Sequence, residues 1–248
     1  MVVKKTDVLI IGAGPAGISA AWSLSKSSYK ITCFEQGSKV STKDYRSTHP
    51  NWEELVSKKF NPNPNVRCAR GDYPIDDKNS PISIANFNGV GGSSVLYSGH
   101  VPRFYKSDFK TKTKDKVGYD WPIDLKDLEK FYDLNEKKLG VRGLIGNKNY
   151  PNIKKLKPHI PLGRLGEKVA EGFNNLGWHW WPSYSAVNIK KTKTKDKFSI
   201  NDICNSYLKE ALKNGVKLYQ NHKVLKIIVK KNVVDGVIYL DNKNNKKF

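Results

Sequence analysis

The segment Gly12-Ala13-Gly14-Pro15-Ala16-Gly17 has the residue types and spacing of a phosphate-binding turn. It fits the pattern G-x-G-x-x-G, which is a weak signal when it stands alone. Here it follows the apolar run Asp7–Gly12 and opens an alanine-rich segment, Pro15–Lys26, whose apolar spacing predicts a helix. The start of such a helix offers free N–H groups and a partial positive charge to phosphates. The pattern therefore predicts a dinucleotide-binding turn.

Each glycine of this turn has a separate expected task. Gly12 permits the sharp turn out of the strand, Gly14 lets a pyrophosphate approach the backbone, and Gly17 lets the helix pack close to the strand. Glu35, at the end of the next predicted strand (Tyr29–Glu35), stands where an acceptor for ribose hydroxyls is expected, about 20 residues on. A tight turn without a ligand is the alternative, but it does not explain Glu35. FAD and NAD share this fingerprint, so the turn alone leaves the choice between them open.

The strand, turn, helix and second strand form a β-α-β unit, which predicts an α/β fold with a parallel sheet. A second glycine-rich turn follows at Asn88–Ser94, and Lys190–Lys197 is predicted to be a charged loop. Helices are further predicted at Trp52–Lys58, Leu125–Leu139 (between Asp124 as cap and Gly140), Gly163–Leu176 and Ile200–Lys213. Strands are predicted at Gly177–Pro182, Val216–Tyr219, Lys223–Val229 and Val233–Leu240.

The composition restricts the class of protein. The formal net charge is +21, which raises nucleic acid as a partner, but the excess is almost all lysine spread along the chain. Base recognition favours arginine, and the arginines are limited to Arg46, Arg67, Arg70, Arg103, Arg142 and Arg164. We therefore expect a solvated lysine-rich surface and no nucleic-acid partner.

The cysteines and the apolar runs lead to further negative expectations. Cys33, Cys68 and Cys204 lie far apart without a CxxC pair, so we expect idle thiols, no disulfide framework and no metal site. No apolar stretch approaches the roughly 18 residues that a membrane span needs. The early apolar run Val8–Ile11 is too short for a signal peptide, so we expect a cytoplasmic protein.

Several segments resemble the glucose-methanol-choline (GMC) family of FAD-dependent oxidoreductases. The resemblance spans nearly the whole chain, in the order of the family's motifs. The matching segments are DVLIIGAGPAGISAAWSLSK from Asp7, GVGGSSVLYSGHVPRF at Gly89–Phe104, DWPIDL at Asp120–Leu125, PLGRLG at Pro161–Gly166 and LGWHWWP at Leu176–Pro182.

This resemblance implies further cofactor contacts. In the family the second glycine turn lies along the flavin and its phosphates, which implies contacts from Gly91, Gly92 and Ser93. Some relatives bind FAD covalently through a histidine whose aligned position here is Leu96, so the resemblance implies non-covalent FAD. Val224 matches a position whose backbone meets the adenine, although a plain sheet residue is an equal alternative.

The resemblance places the catalytic histidine in a C-terminal half that this sequence does not contain, and we do not expect nearby His100 to replace it. We expect a chain that ends within a hairpin, before Lys246–Phe248 completes a returning strand. Because the resemblance places the catalytic histidine outside this sequence, we assign no catalytic residue.

The fold expected is a Rossmann-like FAD-binding domain formed by residues 1–104 and 199–248, with residues 105–198 as part of a smaller α+β substrate domain. The expected function of the complete protein is oxidation of a CH–OH group of an alcohol or sugar by hydride transfer to the flavin, with an unknown electron acceptor. Two alternatives stay open: a non-catalytic dinucleotide-binding module, and one half of a split enzyme.

Overall fold

A computed structural model describes residues 5–40, 52–69, 72, 75–191, 197–244 and 246–247. The α-helices are α1 Pro15–Leu24, α2 Trp52–Ser57, α3 Pro64–Arg67, α4 Thr111–Asp115, α5 Leu125–Leu139, α6 Gly163–Asn175 and α7 Lys209–Lys213. Short 3-10 helices cover Gly92–Val95 and Lys106–Phe109, and a π-helix, Cys204–Leu208, runs directly into α7. The strands are β1 Val8–Ile11, β2 Ile31–Phe34, β3 Val187–Lys190, β4 Lys197–Ile200, β5 Lys217–Tyr219, β6 His222–Lys230, β7 Val233–Asp241 and β8 Lys246–Lys247.

The chain divides into two compact units. The first comprises Met1–Tyr97 with Asp202–Phe248, and the second comprises Ser98–Asn201. The predicted parallel sheet lies in the first unit, where β2 pairs in parallel with β1 on one side and with β5 on the other. Together with the crossover helix α1, this arrangement confirms the predicted Rossmann-like domain.

A second, antiparallel sheet in the first unit has the order β6-β7-β8. The predicted returning strand pairs with β7 as β8. This sheet meets the parallel sheet at β2, where the Phe34 ring lies 4.8 Å from that of Tyr239 and 5.2 Å from that of His222. The contact positions the end of β2, which leads into Glu35.

Helix α1 packs against the π-helix through small and aromatic side chains. Ile18, Ala21 and Trp22 are its buried residues, and the Trp22 ring meets that of Tyr207 edge-on at 5.0 Å. One buried face and one open N-terminal end are what a phosphate-binding helix requires.

The second unit contains α5, α6 and the β3-β4 hairpin, and it has a core of Val141, Ile153, Tyr184 and Ala186. Helix α5, the longest in this unit, begins and ends at the residues predicted from the sequence, Leu125 and Leu139. The Asp124 carboxylate accepts hydrogen bonds from the Lys126 and Asp127 N–H groups, and Gly140 ends the helix with a φ of 62°.

Two predicted elements are wrong. The aromatic run Gly177–Pro182 forms no strand, because two of its tryptophans contact the end of α6: Trp178 stacks on Phe173, and the Trp180 Nε1 donates to the Asn174 Oδ1 at 2.8 Å. The helix predicted to start at Ile200 starts later in the chain, because Ile200 pairs with Val187 in the β3-β4 hairpin. The sequence did not predict this hairpin, because the charged run Lys190–Lys197 is typical of a loop. Residues 192–196 of that run lie outside the described residues.

Candidate functional site

The first glycine turn joins β1 to α1, and the fold itself requires two of its glycines. Gly12 has a φ of +96°, and its N–H donates to the Phe34 carbonyl at 2.7 Å. A Cβ on Gly17 would lie 1.9 Å from the Gly12 carbonyl oxygen. Both positions therefore need glycine whether or not a ligand binds.

Gly14 is different, because nothing in the polypeptide requires a glycine there. It is the N-cap of α1, with extended backbone angles (φ −79°, ψ −176°) that any residue adopts. A Cβ at this position would have the Gly92 Cα as its nearest neighbour, at 4.0 Å. The missing side chain leaves room in front of the helix, which is the space that a pyrophosphate would use.

The N-terminus of α1 is open to an anion. The first N–H groups of a helix have no intrahelical acceptor, and they carry a partial positive charge. Helix α1, all of which the structure describes, has no acidic residue in its first turn and no side-chain cap. Pro15 and Ala16, the first two helical residues, are exposed. A phosphate can therefore reach this end of the helix.

The second glycine turn packs directly on the first. The Gly91 N–H donates to the Ala13 carbonyl at 2.7 Å, and a Cβ on Gly92 would lie 3.0 Å from the Gly14 Cα. Gly91 and Gly92 have φ values of +101° and +51°. Ser93, in the 3-10 helix that follows, is exposed. The structure thus brings the two glycine turns together beside the N-terminus of α1.

Glu35 is buried, and its carboxylate braces this arrangement. One oxygen accepts from the Ala13 N–H at 2.8 Å, and the other accepts from the Gly37 N–H at 2.9 Å. A carboxylate oxygen has more than one lone pair, so these two bonds leave capacity for ribose hydroxyls. The sequence pattern locates Glu35 at the site but does not reveal this bracing role.

Val224 lies on β6, opposite Tyr239, beside an irregularity in the β6-β7 pairing. The strand begins at the site, because the His222 N–H donates to the Glu35 carbonyl at 2.8 Å. Around this point Phe34, Tyr219, His222 and Tyr239 form an aromatic cluster. Sequence reasoning missed this cluster, because its members come from four strands that only the folded sheets bring together.

Cys33 precedes Glu35 by two residues and is buried in β2. Burial, and secondarily the negative charge of Glu35, raise the pKa of the Cys33 thiol from 9.0 to about 12. The thiol is therefore protonated at neutral pH and is a poor nucleophile or metal ligand. Among the described residues no group of three or more His, Cys, Asp or Glu side chains could hold a metal ion.

His100 lies in the second unit, and its Nδ1 is 2.5 Å from the Ser183 hydroxyl oxygen.

Within the described part of the chain, no helix combines the length and the apolar character of a membrane span.

Comparison with known proteins also indicates a dinucleotide-binding domain at the first glycine turn. A family described as an NAD(P)-binding Rossmann-like domain matches residues 10–67, which include the first glycine turn and Glu35. The chain is 31% identical to 2-methyl-1,2-propanediol dehydrogenase of Mycolicibacterium austroafricanum, over 96% of this chain and 46% of that protein. It is 26% identical to paromamine 6'-oxidase of Streptomyces fradiae, over 81% of this chain and 34% of that protein. Its homologues are GMC-type oxidoreductases.

A further GMC homologue is the large subunit of fructose dehydrogenase from Gluconobacter japonicus, which is 24% identical over 74% of this chain and 37% of the subunit. Among solved structures, pyridoxine 4-oxidase from Mesorbium loti matches 98% of this chain and 47% of its own, with a TM-score of 0.55 and 16% identity. That likeness supports the fold alone. The chain spans about a third to a half of the length of these relatives.

Proposed function

We propose that this chain binds FAD non-covalently and is the cofactor-binding part of a GMC-type oxidoreductase that acts on CH–OH groups. The observation that carries the proposal is the Gly91–Ala13 hydrogen bond, which holds a second glycine turn in front of the bare N-terminus of α1. Gly14 has no side chain to obstruct a pyrophosphate that approaches the helix N-terminus.

In this proposal each part of FAD has named partners. The pyrophosphate lies against the backbone of Gly12–Gly17, which includes Pro15 and Ala16 at the start of α1. Glu35 accepts from the adenosine ribose hydroxyls, and the Val224 backbone meets the adenine. Gly91, Gly92 and Ser93 line the flavin half. NAD carries a nicotinamide ribose where FAD carries the flavin and its ribityl chain. A second glycine turn along that half is a feature of the family that the sequence resembles, so this turn favours FAD over NAD.

Leu96 supports the non-covalent part of the proposal. It follows the 3-10 helix of the second turn and packs against the apolar cluster of Phe60 and Val95. An alkyl side chain cannot form a bond to the flavin ring, so no covalent link to the flavin forms at this position.

FAD, when bound, supplies an acceptor for a hydride from the alcohol carbon. The residues of this chain bind and orient that acceptor through the two glycine turns. The chain covers 46% of the diol dehydrogenase, so alcohol or sugar oxidation is proposed only for a polypeptide of the relatives' full length. We further propose a cytoplasmic protein with no nucleic-acid partner; no electron acceptor is assigned.

The form in which the cofactor is held tests this proposal. Chain reconstituted with FAD should be yellow, and denaturation without protease should release intact FAD. Flavin that stays on the denatured polypeptide would contradict the non-covalent part. A chain that remains colourless after reconstitution would contradict the proposal as a whole.

A further inference from the structure

A chain of hydrogen-bonded side chains runs from a buried ion pair to the end of β2. The Gln36 Nε2 donates to the Asn88 Oδ1 at 3.0 Å, and the Asn88 Nδ2 donates to the Asp72 Oδ1 at 3.2 Å. Asp72 is in turn paired with Arg67, whose Nη2 lies 2.6 Å from the Asp72 Oδ1. Gln36 is the immediate neighbour of Glu35, so this chain ends at the proposed cofactor site.

The ion pair is a fixed anchor. The Arg67 side chain is 1% exposed and that of Asp72 is 5% exposed. Arg67 also donates to the carbonyls of Asn61 and Asn86, at 2.5 and 2.9 Å. A buried arginine satisfied in this way keeps its carboxylate partner in one position. Asp72 therefore presents its oxygen to Asn88 in a defined geometry.

The Arg67–Asp72 pair determines which way the side-chain amide groups of Asn88 and Gln36 are turned. An ionised carboxylate only accepts hydrogen bonds, so Asn88 must turn its NH₂ group toward Asp72. The Asn88 carbonyl oxygen then faces Gln36, whose Nε2 is its nearer donor at 3.0 Å, whereas the Asn86 Nδ2 lies 3.5 Å away. Gln36 supplies that donor, whereas a glutamate or an apolar side chain would not.

Asn88 in turn braces the residues that orient Glu35. A Cβ on Gly37 would lie 2.1 Å from the Asn88 backbone oxygen, so the two backbones are in close contact. Two residues further on, the Val90 N–H donates to the Ser38 carbonyl at 3.2 Å. Gly37 donates to Glu35, Glu35 accepts from Ala13, and Ala13 accepts from Gly91. These contacts join the two glycine turns and the segment after β2 in a closed circuit of hydrogen bonds.

We propose that Gln36 and Asn88, anchored by the Arg67–Asp72 pair, are positioning residues for the dinucleotide. They act through Glu35 and the second glycine turn, without touching the cofactor. This inference rests on the proposed function, since it states how the same FAD site is held in shape.

The test uses the full 248-residue chain and the variants Gln36→Met, Asn88→Ala and their combination, with FAD as the probe. Neither substitution changes Arg67 or Asp72, although Asn88→Ala removes the hydrogen bond to the Asp72 Oδ1. Thermal unfolding of each variant checks that the fold is retained. Each single change should weaken FAD binding about threefold to tenfold, the range for one hydrogen bond. The double variant should be no weaker than the weaker single variant, because both changes remove the same link.

Asn214→Ala is the matched control. The Asn214 Nδ2 donates to the Ser25 hydroxyl at 3.1 Å, in the same unit but at the opposite end of α1 from the glycine turns. Losing this amide hydrogen bond should leave FAD affinity unchanged. If Asn88→Ala failed to fold, Gln36→Met would decide alone, since Gln36 is only half-buried.

The outcomes separate the two proposals. If the unmodified chain does not bind FAD, the proposed function fails. If it binds FAD and both single variants bind equally well, the positioning role is wrong and the proposed function stands. Losses that multiply in the double variant would also overturn the positioning role, because they would show that the two side chains act independently.

Discussion

The Gly91 N–H donates to the Ala13 carbonyl at 2.7 Å and so joins two glycine turns that lie far apart in the sequence. Ala13 is doubly engaged, because its own N–H donates to Glu35. One residue of the first turn thus connects the second turn to the end of β2. Substitutions of Gly14, Gly17 and Glu35 should therefore have different effects on the free energy of unfolding and on FAD affinity.

Gly14 and Gly17 should respond differently to substitution. A Cβ at Gly14 would have its nearest neighbour at 4.0 Å, an ordinary contact distance, so Gly14→Ala should change the free energy of unfolding by less than about 1 kcal/mol. Gly14→Val should sharply lower FAD affinity, because its side chain occupies the phosphate's approach. Gly17→Ala should destabilise the fold itself, since its Cβ would lie 1.9 Å from the Gly12 oxygen. Chemical denaturation and FAD titration measure the two effects separately; equal losses of stability at Gly14 and Gly17 would contradict this distinction.

Glu35→Ala should impair both binding and stability. Losing a charged acceptor for the ribose costs about 1.5–3 kcal/mol, which lowers FAD affinity on the order of tenfold to a hundredfold. The substitution also leaves the N–H groups of Ala13 and Gly37 without their acceptor, at about 1–3 kcal/mol each if no water replaces it. Calorimetric titration well below the unfolding temperature isolates the binding term. Unchanged affinity would show that the ribose contact lies elsewhere.

The thiols should differ in their reactivity toward alkylating reagents. Cys33 is buried with its pKa raised to about 12, whereas Cys68 is exposed. In the folded chain near pH 8, mass spectrometry should find Cys68 modified and Cys33 intact. Because the fold raises this pKa, protonated Cys33 contributes stability that is complete below pH 9.0 and is lost as pH rises toward about 12. Rapid labelling of Cys33 in the native chain at pH 8 would contradict its burial.

The 248-residue chain alone should not reduce a dye with an alcohol. The general base must lie within hydrogen-bond reach of the alcohol, and we place it in the remaining part of the relatives' length. A polypeptide of full length should show turnover in the same dye assay. Turnover by the isolated chain that disappears in His100→Ala would instead place the base in the present sequence.

Local patterns were sufficient to predict much of this fold. The strand before Gly12, the helix after Gly14 and the helix between Asp124 and Gly140 depend on neighbouring residues, and the structure confirms them. The Gly91–Ala13 bond and the Arg67–Asp72 anchor join distant segments, so no local pattern could reveal them. The Gly177–Pro182 run was misleading because aromatic residues suit strands, whereas here they pack on the end of α6.

The most direct test of the account is calorimetric titration of the cofactor-free chain with FAD and, separately, with NAD. FAD should bind with one site per chain, NAD should bind far more weakly, and Gly14→Val should abolish the FAD signal while the protein stays folded. Tight binding of NAD with no binding of FAD would contradict the central claim. So would FAD binding that is unaffected by Gly14→Val, because the flavin would then lie outside the joined glycine turns.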